Sequence, residues 1–251
     1  MHPHQAYLIC ATPRSGSYLL CEALTNTGLA GRPTEFFALG PEQTFLTYWG
    51  LTEKEYDQYL TRVLHLGTTS NGVFGAKLIW LTLPLVLTKF RTLPGCAALE
   101  EAELFSTLFP GLQYISITRR DKVRQAISYA RAIQTSEWVR VRDQPVWARE
   151  PVFDPCLIDR QLHEIEREEQ DMHQFFTRHH IQPFQVVYEE FVSAYEETAK
   201  EILHFLSVPF TEPLIFGERH IVRQADAQSE EWLQRYQEYI REGGNGEEPC
   251  M

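Results

Sequence analysis

The chain has 251 residues, of which 43% are hydrophobic and 23% charged, a composition that can bury a substantial core and excludes disorder as the main state. With 23 basic against 34 acidic residues the formal net charge is −11, which opposes a broad nucleic-acid interface but leaves room for one local anion pocket. No apolar run reaches about eighteen residues, and the opening MHPHQAYLIC has neither the basic nor the apolar part of a leader, so a cytoplasmic protein with no membrane partner is expected. The five cysteines are odd in number and scattered without a C-x-x-C pair, so neither a disulfide framework nor a metal site is expected.

In chain order, the apolar run 6–11 reads as a buried strand. Thr-Pro-Arg-Ser-Gly-Ser over 12–17 reads as a tight loop, and 18–25 as a helix stopped before Gly28. Thr52-Glu-Lys-Glu55 has capping-box spacing and opens another helix. Three further strands are expected at 75–79, 112–117 and 184–188, each feeding a helical pattern. The helices fall at 121–134, 159–178, 190–206 and 230–241. On the second of these helices, Glu164, Glu166, Glu168, Glu169 and Asp171 alternate with Arg160 and Arg167, as in a solvated face. Strands alternating with helices imply an α/β fold, with a central parallel sheet flanked by helices. No interior stretch reads as a linker, so one domain over 1–251 is expected, with a tail that frays from about residue 243.

Two strand ends carry the chemistry. In Pro13-Arg14-Ser15-Gly16-Ser17-Tyr18 a small-residue turn aims backbone N–H groups and a helix N-terminus at one point, the arrangement that binds phosphate. Gly16 permits close approach, Ser15 and Ser17 offer hydroxyls, and Arg14 offers a cation. The pattern G-x-x-x-x-G-K-[ST] is absent, so the lysine and magnesium arrangement of an ATPase is not assembled here. At the other strand end, Arg119 and Arg120 precede a helix that carries Ser128, and these groups can converge on a phosphate monoester. Two anion sites at strand carboxyl ends of one parallel sheet suit a ligand with phosphates at both ends.

The order of blocks AYLICATPRSGSYLLCEALTNTGLAGRPTEFF, GVFGAKLIW, TRRDKVRQAISYARAIQT and RQADAQSEEWLQRY, spread over residues 6–236, resembles the sulfotransferases that use 3′-phosphoadenosine 5′-phosphosulfate (PAPS). Within them it is most similar to the trehalose 2-sulfotransferase family of mycobacteria and its bacterial relatives. The resemblance implies a P-loop-like sulfotransferase fold, release of PAP, a small-molecule acceptor and a possible homodimer. It implies that Arg14, Ser15, Gly16 and Ser17 hold the 5′-phosphosulfate, with Arg14 also beside the leaving oxygen. Ser128 with Arg119 or Arg120 would hold the 3′-phosphate, and Tyr188 would contact adenine. Arg223 and Gln224 would close over the nucleotide. Tyr18 stands where the family usually has Thr, so its contact near the sulfate differs from the family's.

The resemblance assigns the catalytic base to Glu35, in Arg-Pro-Thr-Glu-Phe-Phe. Sulfuryl transfer to a hydroxyl needs such a proton acceptor, and flanking Phe36 and Phe37 would bury it partly. Phe37, Lys77 and Trp80 are expected to border the acceptor, Lys77 neutralising sulfuryl oxygens and Trp80 stacking on an acceptor ring. The function so implied is transfer from PAPS to a hydroxyl or amine of a small polar acceptor, such as a carbohydrate or specialised metabolite, without a metal. Two alternatives stand beside it, a P-loop nucleotide kinase and a nucleotide-binding module that does not turn over.

Overall fold

The computed structural model describes residues 3–142, 149–221 and 226–243. Four strands, β1 (Gln5–Ala11), β2 (Val73–Ile79), β3 (Gln113–Thr118) and β4 (Phe184–Val187), form one sheet in the order β2-β1-β3-β4. All neighbours are parallel, with Ile9 opposite Lys77 on one side and Ile115 on the other. β1 and β3 are central, and β1 is buried from Ala6 to Ala11, which is why they read as apolar runs rather than alternating ones.

Because side chains alternate across a strand, β1 feeds two cores. Ala6, Leu8 and Cys10 join Phe74, Leu78, Phe90, Phe105 and Phe109 on one face. Here α3 (Tyr56–Gly67), α4 (Leu83–Phe90) and α5 (Glu101–Leu108) contribute buried side chains. Tyr7, Ile9 and Ala11 join Leu20, Leu24, Ile202 and Leu203 on the other, under α1 (Ser17–Asn26) and α9 (Tyr195–Phe205). A third cluster packs α6 (Lys122–Thr135) and α7 (Pro155–Arg178) against α10 (Ala227–Arg241), with Ile127, Ile158 and Trp232 buried. α2 (Leu39–Trp49) begins shortly after Glu35, and α8 (Tyr188–Ser193) directly follows β4.

The α/β architecture matches the expected alternation, and the Thr52–Glu55 capping box is present. The helix read as continuous over 190–206 is two, α8 and α9, broken at Ala194, which leaves helical geometry at φ −128° and ψ 49°. The acidic stripe on α7 is not wholly solvated. Glu168 is buried, its carboxyl pushed up by that burial, and Glu169 pairs with Lys122 of α6 at 2.6 Å. Cys10, Cys21 and Cys96 are buried free thiols. Among the described residues, no helix is long and apolar enough to cross a membrane, and no three or more His, Cys, Asp or Glu are grouped to hold a metal ion.

Candidate active site

The chain leaves β1 at Ala11 and turns through 12–16 into α1. Arg14 takes a left-handed conformation at φ 64°, a strain of roughly 1 kcal/mol that the surroundings hold in place. Gly16, at φ 94°, stands at the N-cap of α1 without any side-chain cap, so the first N–H groups of the helix are open toward the sheet's carboxyl edge. A Cβ at Gly16 would lie 2.3 Å from Cδ2 of Tyr188, so glycine is required both by conformation and by space. From α6, Gln125 Nε2 donates to Thr12 Oγ1 at 2.9 Å and to the Pro13 carbonyl at 2.8 Å, clamping the loop to the second segment. Ser15 Oγ is buried with no hydrogen-bond partner among the described residues.

The second segment is built as tightly. Asp121 caps α6 by accepting from Arg124 N at 2.9 Å, and Glu189 of α8 accepts from Arg120 N at 3.1 Å and Asp121 N at 3.2 Å. The turn is thereby fixed with the two neighbouring arginines pointing apart. Arg119 lies over the Tyr188 ring, its Cζ 5.0 Å from the centroid, and its Nε is buried without a partner. Arg120 is 62% exposed and pairs with Glu190. Arg14 reaches across to this segment, donating from Nε to Ser128 Oγ at 2.9 Å and from a terminal nitrogen to the Trp138 carbonyl. Burial, with the charge of Arg119 nearby, brings the Arg14 pKa down to about 10, and burial also lowers that of Arg119. Two partly buried guanidiniums thus face one cavity, where an anion would relieve both.

Glu35 is placed by backbone. Its segment runs beside β2, with Lys77 N donating to the Thr34 carbonyl at 2.8 Å. Lys77, buried although charged, sets Nζ 2.8 Å from Glu35 Oε2, an ion pair without hydrogen-bond alignment. The same ammonium lies 3.1 Å from the centroid of the Tyr18 ring, a cation–π contact. Tyr18 donates its hydroxyl to Glu35 Oε2 at 2.9 Å. Burial and the facing carboxylate raise the phenol's pKa, so it stays a protonated donor. Glu35 Oε1 accepts no hydrogen bond among the described residues.

Arg14, Gly16, Ser17, Tyr18, Glu35, Lys77, Arg119, Ser128 and Tyr188 all line one cavity of about 720 Å³. Ser15 lies buried within the loop beneath it. Three expected residues are not brought there. Phe37 is buried against Phe90 and Phe109, with ring centroids at 5.1 and 6.0 Å, because the chain turns both phenylalanines into the core and leaves Glu35 facing Lys77 and Tyr18. Trp80 is buried edge-on to Phe175 at 5.2 Å. Arg120 faces outward. Arg223 and Gln224 lie outside the described residues. The cavity also holds residues not anticipated, among them Arg124, Arg131, Glu137, Trp138 and Arg140. Arg124 and Arg131 share a helical face with Ser128 by their spacing of four and three, a signal the sequence carried.

A family model of the Stf0 sulphotransferases matches residues 6–239. The chain belongs to this family. A trehalose 2-sulfotransferase of Mycolicibacterium smegmatis is 31% identical over 272 residues, with 97% of this chain and 98% of the relative covered. One of Mycobacterium tuberculosis is 27% identical, with 92% and 93% covered. A solved sulfotransferase domain of the olefin synthase of Synechococcus PCC 7002 is 15% identical at a TM-score of 0.48, with 95% of each chain covered. Membership in the Stf0 family makes the chain a sulfuryl-transferring enzyme, which decides against the kinase and the non-catalytic module.

Proposed function

We propose that the enzyme takes PAPS as donor and transfers its sulfuryl group to a hydroxyl or amine of a small-molecule acceptor in the cytoplasm, the whole chain serving as one catalytic domain. The observation that carries this is the junction of Arg14 with Ser128. It joins the two anion segments under one cavity that also holds Glu35. The residues fit such a donor, since Ser15 Oγ and Arg119 Nε are buried polar atoms with no hydrogen-bond partner among the described residues, and unpartnered buried donors are what an anionic ligand satisfies.

In this reading Arg14, Ser15, Ser17 and the N–H groups opening α1 hold the 5′-phosphosulfate end. Arg119 and Ser128 hold the 3′-phosphate, and Tyr188 borders the adenosine. When bound, PAPS supplies an activated sulfuryl group and departs as PAP. Glu35 takes the acceptor's proton on Oε1, while Tyr18 and Lys77 hold Oε2 and so fix the carboxylate's orientation. Arg14 supplies preorganised positive charge beside the leaving oxygen.

The direct test is a thermal-shift titration with PAP and AMP, beside sulfate transfer from labelled PAPS to panels of sugars, phenols, alcohols and amines. PAP is expected to stabilise the protein well beyond AMP. Equal shifts would remove the donor assignment.

A further inference from the structure

We infer that Trp138 is the platform on which the acceptor lies, and that it takes a ring with a C–H face and hydroxyls at its rim. The inference deepens the proposed function and rests on the reading of Arg14 as the charge beside the leaving oxygen. Among the described residues four aromatic side chains line the cavity, Tyr18, Tyr129, Trp138 and Tyr188. Three of them are already engaged. Tyr18 faces the ammonium of Lys77, Tyr188 faces the guanidinium of Arg119, and Tyr129 is buried. Trp138 is 42% exposed and meets Tyr129 at a tilt of 58°, with ring centroids 6.0 Å apart. Such a contact leaves indole surface uncovered. The stacking expected of Trp80, which packs in the core on Phe175, thus falls to Trp138.

The backbone around Trp138 is fixed on both sides. α6 stops at Ser136, which turns left-handed at φ 60°, and Thr135 Oγ1 accepts from Glu137 N at 3.2 Å. Beyond the indole, Arg140 is bidentate to Glu137 at 2.7 and 3.0 Å. Between these anchors the Trp138 carbonyl accepts from Arg14, which binds Ser128 through a different nitrogen of the same guanidinium. Trp138 therefore stands one hydrogen bond from the charge at the reacting end. An indole face is apolar and electron-rich, so it favours the C–H face of a saturated ring. The rim hydroxyls of that ring meet Glu137 and Arg140, which both line the cavity. Glu137 takes two of the five N–H donors of Arg140, and hydrogen bonds to such charged groups are the strong ones. An open-chain polyol brings the hydroxyls without the face.

The experiment compares the wild type with Trp138→Phe, which keeps an aromatic face, and Trp138→Leu, which keeps apolar bulk without one. Isothermal titration gives the affinity for PAP and then, with PAP bound, the affinities for methyl glucoside, trehalose and glycerol. Both ring sugars are expected to bind the wild type more tightly than glycerol. Trp138→Leu is expected to weaken the tighter ring sugar by ~10-fold, the worth of a stacked aromatic, and Trp138→Phe to retain most of the affinity. PAP affinity should stay within ~2-fold in both variants, and in transfer assays the KM for the sugar should rise at nearly constant kcat. Ring sugars that bind no better than glycerol, or that bind Trp138→Leu as they bind the wild type, would each overturn the inference. So would a loss of PAP affinity in Trp138→Leu, which would place the indole at the nucleotide. Failure of PAP to bind the wild type would instead overturn the donor reading on which the inference rests.

Discussion

Arg14 Nε donates to Ser128 Oγ at 2.9 Å, joining residues 114 apart in sequence. Neither loop explains this contact alone. It exists because β1 and β3 are adjacent parallel strands whose carboxyl ends open on the same edge, and because Gln125 ties the first loop to the helix that carries Ser128. An anion bound by one segment is therefore within reach of the other.

Arg14→Ala should damage transfer far more than folding. The guanidinium lines the cavity from a strained loop, partly buried and with its pKa brought down to about 10, so its removal relieves desolvation while opening no apolar cavity. Loss of one preorganised charge at the reacting centre is expected to lower single-turnover transfer by ~10²–10³, with little change in melting temperature. Near-normal turnover would show that Arg14 only joins the two segments.

The neighbouring arginines offer an internal control. Arg119 faces the cavity over Tyr188 with Nε unpartnered, whereas Arg120 faces outward on Glu190. Arg119→Ala is expected to weaken PAP binding by about 1.5–3 kcal/mol, the worth of a charge-assisted hydrogen bond. Arg120→Ala should leave it within about 0.5 kcal/mol, because it removes only an exposed pair. Titration of both variants with PAP checks this, and the reverse order would exchange their roles.

Sequence reached the strands and the two strand-end segments that meet at the cavity because their signals are local, namely apolar runs that end in small or basic residues. It could not separate Arg119 from Arg120. Which of the two lines the cavity depends on Glu189, 69 and 68 residues from the two backbone N–H groups it fixes. It placed Phe37 and Trp80 at the acceptor because aromatics near a base read equally well as pocket or core, and packing on Phe90, Phe109 and Phe175 decides for core. Tyr18 was legible as a departure from the family's Thr, but its partner was not. That its hydroxyl meets Glu35, 17 residues on, depends on how the segment after α1 returns alongside β2.

Gly16→Ala tests the loop's geometry. The added Cβ meets Tyr188 at 2.3 Å while φ stays at 94°, so either the ring or the turn must shift. Destabilisation of about 1–3 kcal/mol is expected from backbone strain and the displaced ring together, with loss of PAP binding. A variant that melts and binds PAP as the wild type does would show that the loop tolerates another path.

Tyr18→Phe removes one hydroxyl and keeps the ring that covers Lys77. The carboxylate of Glu35 then loses a charge-assisted donor at 2.9 Å and with it part of its orientation. A fall of ~10-fold in kcat is expected with an unchanged KM for PAPS, in line with a hydrogen bond worth about 1.5 kcal/mol. A rise in the KM for PAPS at constant kcat would instead place Tyr18 in donor binding.

Glu35→Gln should lower transfer by ~10²–10⁴, the usual contribution of a positioned base. The structure adds a complication. Lys77 Nζ is buried and pairs with Glu35, so the glutamine variant leaves a buried ammonium without its counter-charge, which costs about 3–5 kcal/mol when one partner of such a pair is lost. Lower activity alone would then not distinguish a missing base from a loosened fold. Glu35→Gln with Lys77→Met makes the distinction, because removing both charges takes away the unpaired ammonium and is often close to neutral for stability. The double variant is expected to recover most of the lost melting temperature and PAP affinity while transfer stays at the level of Glu35→Gln. Recovery of transfer along with stability would mean that Glu35 serves only to neutralise Lys77, and the proton acceptor would have to be another group in the cavity, with Glu137 and Glu150 the remaining carboxylates lining it among the described residues.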